Sequence, residues 1–125
     1  METPAKGYRD LLAWQKSMEL CEIVYASTES LPEHERFGLT SQMRRAAVSI
    51  PSNIAEGHGR RQTKDYAKHL RYALGSLAEL ETQLELTVRC GLLSRDAARP
   101  VWSVAQEVGK LLTRLYQSQQ STPSA

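Results

Sequence analysis

The chain has 125 residues, 41% of them apolar, 6% aromatic and 24% charged, and its net charge is +2. This length and apolar content suit one domain around one core, and no apolar run approaches the roughly 20 residues that a membrane helix needs. The opening METPAKGYRD lacks the apolar stretch of a secretion signal, so the expected location is the cytoplasm, with no membrane contact.

Ala and Leu lead the apolar residues, and Glu, Gln, Arg and Lys lead the polar ones. All are good helix formers, and strand formers cluster nowhere. The expected class is all-α. Residues 1–8, with Pro4 and Gly7, read as a flexible lead, residues 9–117 as one helical domain, and residues 118–125 as a polar, disordered tail.

Asp10 is a candidate cap for a first helix, in which Leu11, Trp14, Met18, Cys21 and Tyr25 form an apolar stripe widened by Leu20 and Val24. Pro32 ends it, and LPEHERFG links it to a second helix running from Phe37 or Gly38 to Glu56. There Leu39, Met43, Ala47, Ile50 and Ile54 make the apolar stripe. Pro51 removes a backbone donor and crowds the carbonyl of Ala47, which predicts a kink or short break. Gly57 and Gly59 suit a left-handed helix end.

Thr63 is a candidate cap for a third helix reaching about Cys90, with Tyr66, Leu70, Ala73, Leu77, Leu80, Leu84 and Val88 in period. Gly75 in its middle costs about 1 kcal/mol against Ala, and close approach by another helix would explain it. Gly91 ends this helix and Ser94 caps the last one, where Val101, Val104, Val108, Leu111 and Leu115 share a face and Pro100 suggests an irregular start. Four such helices on short connectors predict an antiparallel up-down-up-down four-helix bundle.

Cys21 and Cys90 form no metal or redox spacing and sit among apolar residues, so both are expected to be buried free thiols. None of His34, His58 and His69 follows a Glu by three positions, as a di-iron bundle requires. There is no phosphate-binding glycine loop, and no spacing assembles a nucleophile with its base. The expectation is therefore no catalytic residue, no metal, no cofactor and no enzymatic activity.

Charge is the best lead to function. From Arg44 to Arg71 there are seven basic and two acidic residues, while the rest of the chain has nine basic and twelve acidic. Arg44, Arg45, Arg60, Arg61, Lys64, Lys68 and Arg71 are the candidate nucleic-acid-binding residues, with Tyr66, His69 and Tyr72 interleaved. The alternative is a solvated face with internal salt bridges. A second pattern is polar: Gln42, Ser49, Asn53 and Glu56 on the second helix, and Ser76, Glu79 and Gln83 on the third, run beside the apolar stripes. It fits an oligomer interface, a buried polar network or a wet rim.

The runs SQMRRAAVSIPSNIAEGHGR (Ser41 to Arg60) and LRYALGSLAELETQLEL (Leu70 to Leu86) resemble the bacterial four-helix-bundle proteins linked to intervening sequences in large-subunit ribosomal RNA genes. The opening YRDLLAWQKSMELCEIVYASTESLPEHERFGL resembles that family's usual start, and the likeness spans roughly residues 8–116. It falls on Arg44, Arg45, Ser49, Asn53, Glu56, Gly57, Arg60, Gly75, Ser76 and Glu79. The resemblance implies a ring-shaped homo-oligomer, a pentamer. It also implies contact with RNA or DNA, because similar bundles include the basic accessory protein of diversity-generating retroelements, which works with a reverse transcriptase. The alternative is a structural or adaptor ring whose partner is a protein such as a polymerase or reverse transcriptase.

Overall fold

In the computed structural model, which describes residues 7–60 and 62–120, the chain forms helices α1 (Leu12–Thr28), α2 (Leu39–His58), α3 (Thr63–Arg89) and α4 (Arg95–Gln120). Two short 3-10 turns, Tyr8–Asp10 and Glu33–Glu35, precede α1 and α2. Each helix packs on its neighbours in sequence and α4 closes against α1, so the four stand at the corners of a square with α2 and α3 most tightly joined. The predicted four-helix bundle is therefore found. Its last helix runs on to Gln120, three residues into the predicted tail; residues 1–6 and 121–125 lie outside the described residues.

Met43, Ala47, Ile50 and Ile54 from α2, Leu70, Ala73, Leu77, Leu80 and Leu84 from α3, and Val101, Val104, Val108 and Leu112 from α4 fill the core. The stripe expected on α1 is rotated. Met18 and Tyr25 are 40% and 44% exposed, whereas Ala13, Ser17, Leu20, Cys21, Val24 and Thr28 face inward. Ser17 and Thr28 can be buried because their hydroxyls donate to the carbonyls of Trp14 (2.9 Å) and Val24 (2.8 Å) one turn back.

No break occurs at Pro51, which is buried within an unbroken α2. Proline leaves the carbonyl four residues earlier without its helical donor. That carbonyl belongs to Ala47, and it accepts the thiol hydrogen of Cys21 from α1 at 3.2 Å. Burial pushes the Cys21 thiol up to about 11, so it remains protonated and able to donate. Cys90, by contrast, is exposed at the end of α3, against expectation. Pro100 does not disturb α4 either. The carbonyl it frees belongs to the exposed Asp96, where water can reach it.

Ser94 caps α4 as expected, accepting the Ala97 amide at 3.0 Å. Asp10 and Thr63 are not caps. Leu11 and Gln62 hold those positions with no side-chain cap bond, and Thr63 is already helical. At α2 the nearby donor-seeking oxygen is Glu35 Oε1, which accepts the Leu39 amide at 3.2 Å.

The glycines depart from their expected roles. Gly57 lies inside α2, and neither it nor Gly59 has positive φ. A Cβ on Gly57 would stand 2.7 Å from Cβ of His69 and 3.1 Å from the Tyr66 ring, so this is where two backbones approach closely. A Cβ on Gly75 would meet nothing within 4 Å. Gly91, at φ +76°, ends α3, with its own amide bonded to Val88 and that of Leu92 to Thr87.

Candidate nucleic-acid interface

The fold divides the predicted basic segment. Arg44 and Arg45 lie near the start of α2, while Arg60 follows its end, roughly 20 Å away along the axis. Arg44 is held internally. Its Nε donates to Thr28 Oγ1 at 2.8 Å, its Nη2 reaches the Tyr25 carbonyl and Glu29 at 3.3 Å each, and the guanidinium lies 4.5 Å from the centre of the Tyr25 ring. Arg45 is exposed and has no ion-pair partner among the described residues. Arg60 pairs with Glu56 at 2.9 Å. Arg61 lies outside the described residues.

Lys64, Lys68 and Arg71 are exposed on the first turns of α3 with no ion-pair partner among the described residues. Across the α3–α4 seam, α4 adds Lys110 and Arg114, also exposed and without an ion-pair partner among the described residues. One stretch of the seam is lined by Thr63, Lys64, Ala67, Lys68, Arg71 and Tyr116 (about 430 Å³). The next is lined by Leu74, Ala78, Glu81, Gln106, Lys110 and Arg114 (about 470 Å³). Together they make a furrow with cations on both banks. Elsewhere the described cations are mostly engaged: Lys16 with Glu19 and Glu107, Arg36 with Glu33, Arg89 and Arg95 with Glu85, and Arg99 with Asp96. Unpaired positive charge is thus concentrated on the α3–α4 seam. Lys110 and Arg114 escape a sequence window because they lie some forty residues beyond it; their signal is the i, i+4 spacing on a helix that must pack against α3.

Of the rings interleaved with these charges, only Tyr72 is exposed. Tyr66 is half-buried, its hydroxyl has no hydrogen-bond partner among the described residues, and burial raises its pKa. His69 is buried and belongs to the polar stripe. Its Nδ1 bonds Asn53 Oδ1 at 3.1 Å and its Nε2 lies 3.9 Å from Glu56. Asn53 Nδ2 donates to the Ser49 carbonyl at 2.9 Å and to Ser49 Oγ at 3.1 Å, and Ser49 and Ser76 share a hydroxyl bond of 2.8 Å. Ser49, Asn53, Ser76 and His69 therefore form a hydrogen-bonded network that stitches α2 to α3, while Glu56 stands exposed at its end, paired with Arg60. Gln42 is at its edge, accepting from Gln83 Nε2 at 3.5 Å. Glu79 stands exposed outside it.

Beyond the basic stretch the furrow turns apolar. Leu84, Val88, Ala98 and Trp102 line a hollow of about 370 Å³ bordered by Glu85, Arg95 and Arg99. The Arg95 guanidinium, and then that of Arg89, hold the Glu85 carboxyl down to about 2. Among the described residues no group of three His, Cys, Asp or Glu side chains is placed to hold a metal ion, and no helix is long and apolar enough to cross a membrane.

These features define a four-helix bundle in which most of the unpaired positive charge among the described residues borders one inter-helix seam. The chain belongs to the 23S rRNA-intervening sequence protein family, whose model matches residues 9–114. A solved relative, a protein of unknown function from the S23 ribosomal protein family of Bacteroides thetaiotaomicron, is similar to it with a TM-score of 0.75 and 26% identity, over 84% of this chain and 98% of that one. No functionally curated protein matches.

Proposed function

We propose that this protein is a non-enzymatic, homo-oligomeric bundle that binds RNA or DNA through the basic half of the α3–α4 furrow. The observation that carries this reading is the set of five cations on its two banks, Lys64, Lys68, Arg71, Lys110 and Arg114, that have no ion-pair partner among the described residues. Cations already neutralised by carboxylates gain little from a phosphate, whereas unpaired ones release counterions when a polyanion binds. Fluorescence anisotropy with a labelled oligonucleotide across a salt series tests it. Binding at low salt that weakens steeply as salt rises supports the reading, and no measurable affinity at low salt overturns it.

Assembly through a different face fits this reading. Phe37, 86% exposed, shares a groove on the α1–α2 side with Tyr25 and Val48. That side is opposite the furrow, so a second copy seated there would leave the furrow open. A closed ring of five is taken from the family resemblance, and a cytoplasmic setting fits the exposed free thiol of Cys90. The same groove favours a second reading, an adaptor ring that uses it to hold a protein such as a polymerase or reverse transcriptase. Mass measurement in solution separates the two: self-association through this face gives an oligomer that Phe37→Ala disrupts, while the adaptor reading leaves the mass unchanged by that substitution.

A further inference from the structure

We infer that the apolar end of the α3–α4 furrow takes an unstacked base, with Trp102 as its stacking platform, and hence that the ligand is single-stranded nucleic acid. This deepens the reading of the basic half and rests on it. The two halves are continuous. Ala78, Glu81, Ala105 and Gln106 line the basic half at its inner end, and Leu84, Glu85 and Trp102 follow within one helical turn on each bank. From Thr63 to Val88 the furrow spans roughly 38 Å of α3.

The apolar end has the chemistry of a base site. Trp102 is 46% exposed although it borders a hollow lined by Leu84, Val88 and Ala98. An indole left half in water beside apolar walls gains by being covered with a flat, partly polar ring. At about 370 Å³ the hollow is within the ordinary range for small-ligand pockets, roughly 300–1,000 Å³. Its carboxylate does not repel a phosphate, because Glu85 is hydrogen-bonded by both Arg95 (3.0 Å) and Arg89 (2.9 Å). Along the path Glu81 is engaged by the Gln106 amide at 2.8 Å.

The site discriminates between strand states. An intact duplex presents phosphates to cations but keeps its bases stacked inside, so it offers the hollow nothing. A single strand supplies phosphates to the basic half and a free π-face to Trp102, and aromatic stacking is tolerant of base identity.

The test uses the full chain, a single-stranded oligonucleotide of about 12 nucleotides and its perfect duplex. Anisotropy reports binding and tryptophan emission reports contact. The single strand is expected to quench emission in the wild type and not in Trp102→Phe, which separates Trp102 from Trp14. Trp102→Ala is expected to weaken single-strand binding roughly tenfold and leave duplex binding unchanged, and Trp102→Phe to retain most of the affinity, the stacking ring being kept. Thermal melts confirm that both variants fold; if Trp102→Ala does not, the quench comparison with Trp102→Phe decides alone. Single-strand binding without a change in Trp102 emission, or equal losses on both ligands, overturns this inference and leaves the basic half standing. Absence of binding to either ligand overturns both.

Discussion

Lys110 and Arg114 give the sharpest test of the basic furrow, because they are far from the basic segment in sequence and join it only through the packing of α4 on α3. Replacing both with Gln removes two of the five unpaired cations on the banks. For single strands the salt slope is about −0.7 per neutralised phosphate, so five contacts give about −3.5 and three give about −2. Between 50 and 200 mM salt the wild type should then lose affinity on the order of 100-fold, and the double variant only about 20-fold. Both side chains are exposed and unpaired, so stability should move by no more than about 0.5 kcal/mol. Anisotropy titrations at four or five salt concentrations, with a thermal melt as control, measure both quantities. An unchanged slope in the double variant would refute the reasoning, since it would mean that α4 contributes no phosphate contact.

Other expectations follow from the core and the helix ends. Gly57→Ala should destabilise by about 1–3 kcal/mol, because its Cβ would press on His69 and Tyr66. Gly75→Ala should instead stabilise by about 0.4–1 kcal/mol, having open space and a helical backbone; urea melts on the pair check both signs. Cys21→Ala should cost about 1–3 kcal/mol by orphaning the Ala47 carbonyl. Combined with Pro51→Ala, which restores a backbone donor to that carbonyl, it should cost less, and a double-mutant cycle with zero coupling would contradict the pairing. Glu85 is lowered from the ordinary 4.5 to about 2. Its contribution is therefore present in full above pH 4.5 and is lost as pH falls through about 2. The Tm of Glu85→Gln should accordingly lack that part of the wild type's acid dependence, with high salt shrinking the difference because the group is exposed.

The bundle was legible because α2, α3 and α4 each carry a single well-spaced apolar stripe, closed by glycines in α2 and α3 and by a polar run in α4. It was less legible in α1, where apolar residues fall on more than one face and Ser17 and Thr28 can enter the core by bonding back to their own helix. Pro51 illustrates a different limit. The lost bond is local and visible in the sequence, but the Ala47 carbonyl finds its replacement donor in Cys21, twenty-six residues before Ala47 on another helix. The close approach expected at Gly75 lies instead at Gly57 for the same reason, since crowding at a glycine is decided by the neighbouring helix. At the site, the sequence window found Lys64, Lys68 and Arg71 but joined them to Arg44, which is locked against Tyr25 and Thr28. It could not include Lys110, Arg114 or Trp102, which meet α3 only through the fold. His69 looked like part of the basic cluster and proves to be a link in the α2–α3 polar network.

Ultraviolet cross-linking of a single-stranded oligonucleotide to the intact protein, followed by mass spectrometry of the joined peptides, tests the central claim most directly. Cross-links are expected on the α3–α4 furrow, at Tyr116 in its basic half and Trp102 at its apolar end. Cross-links confined to the α1–α2 face, at Tyr25 and Phe37, would contradict the account and place nucleic acid on the opposite side of the bundle.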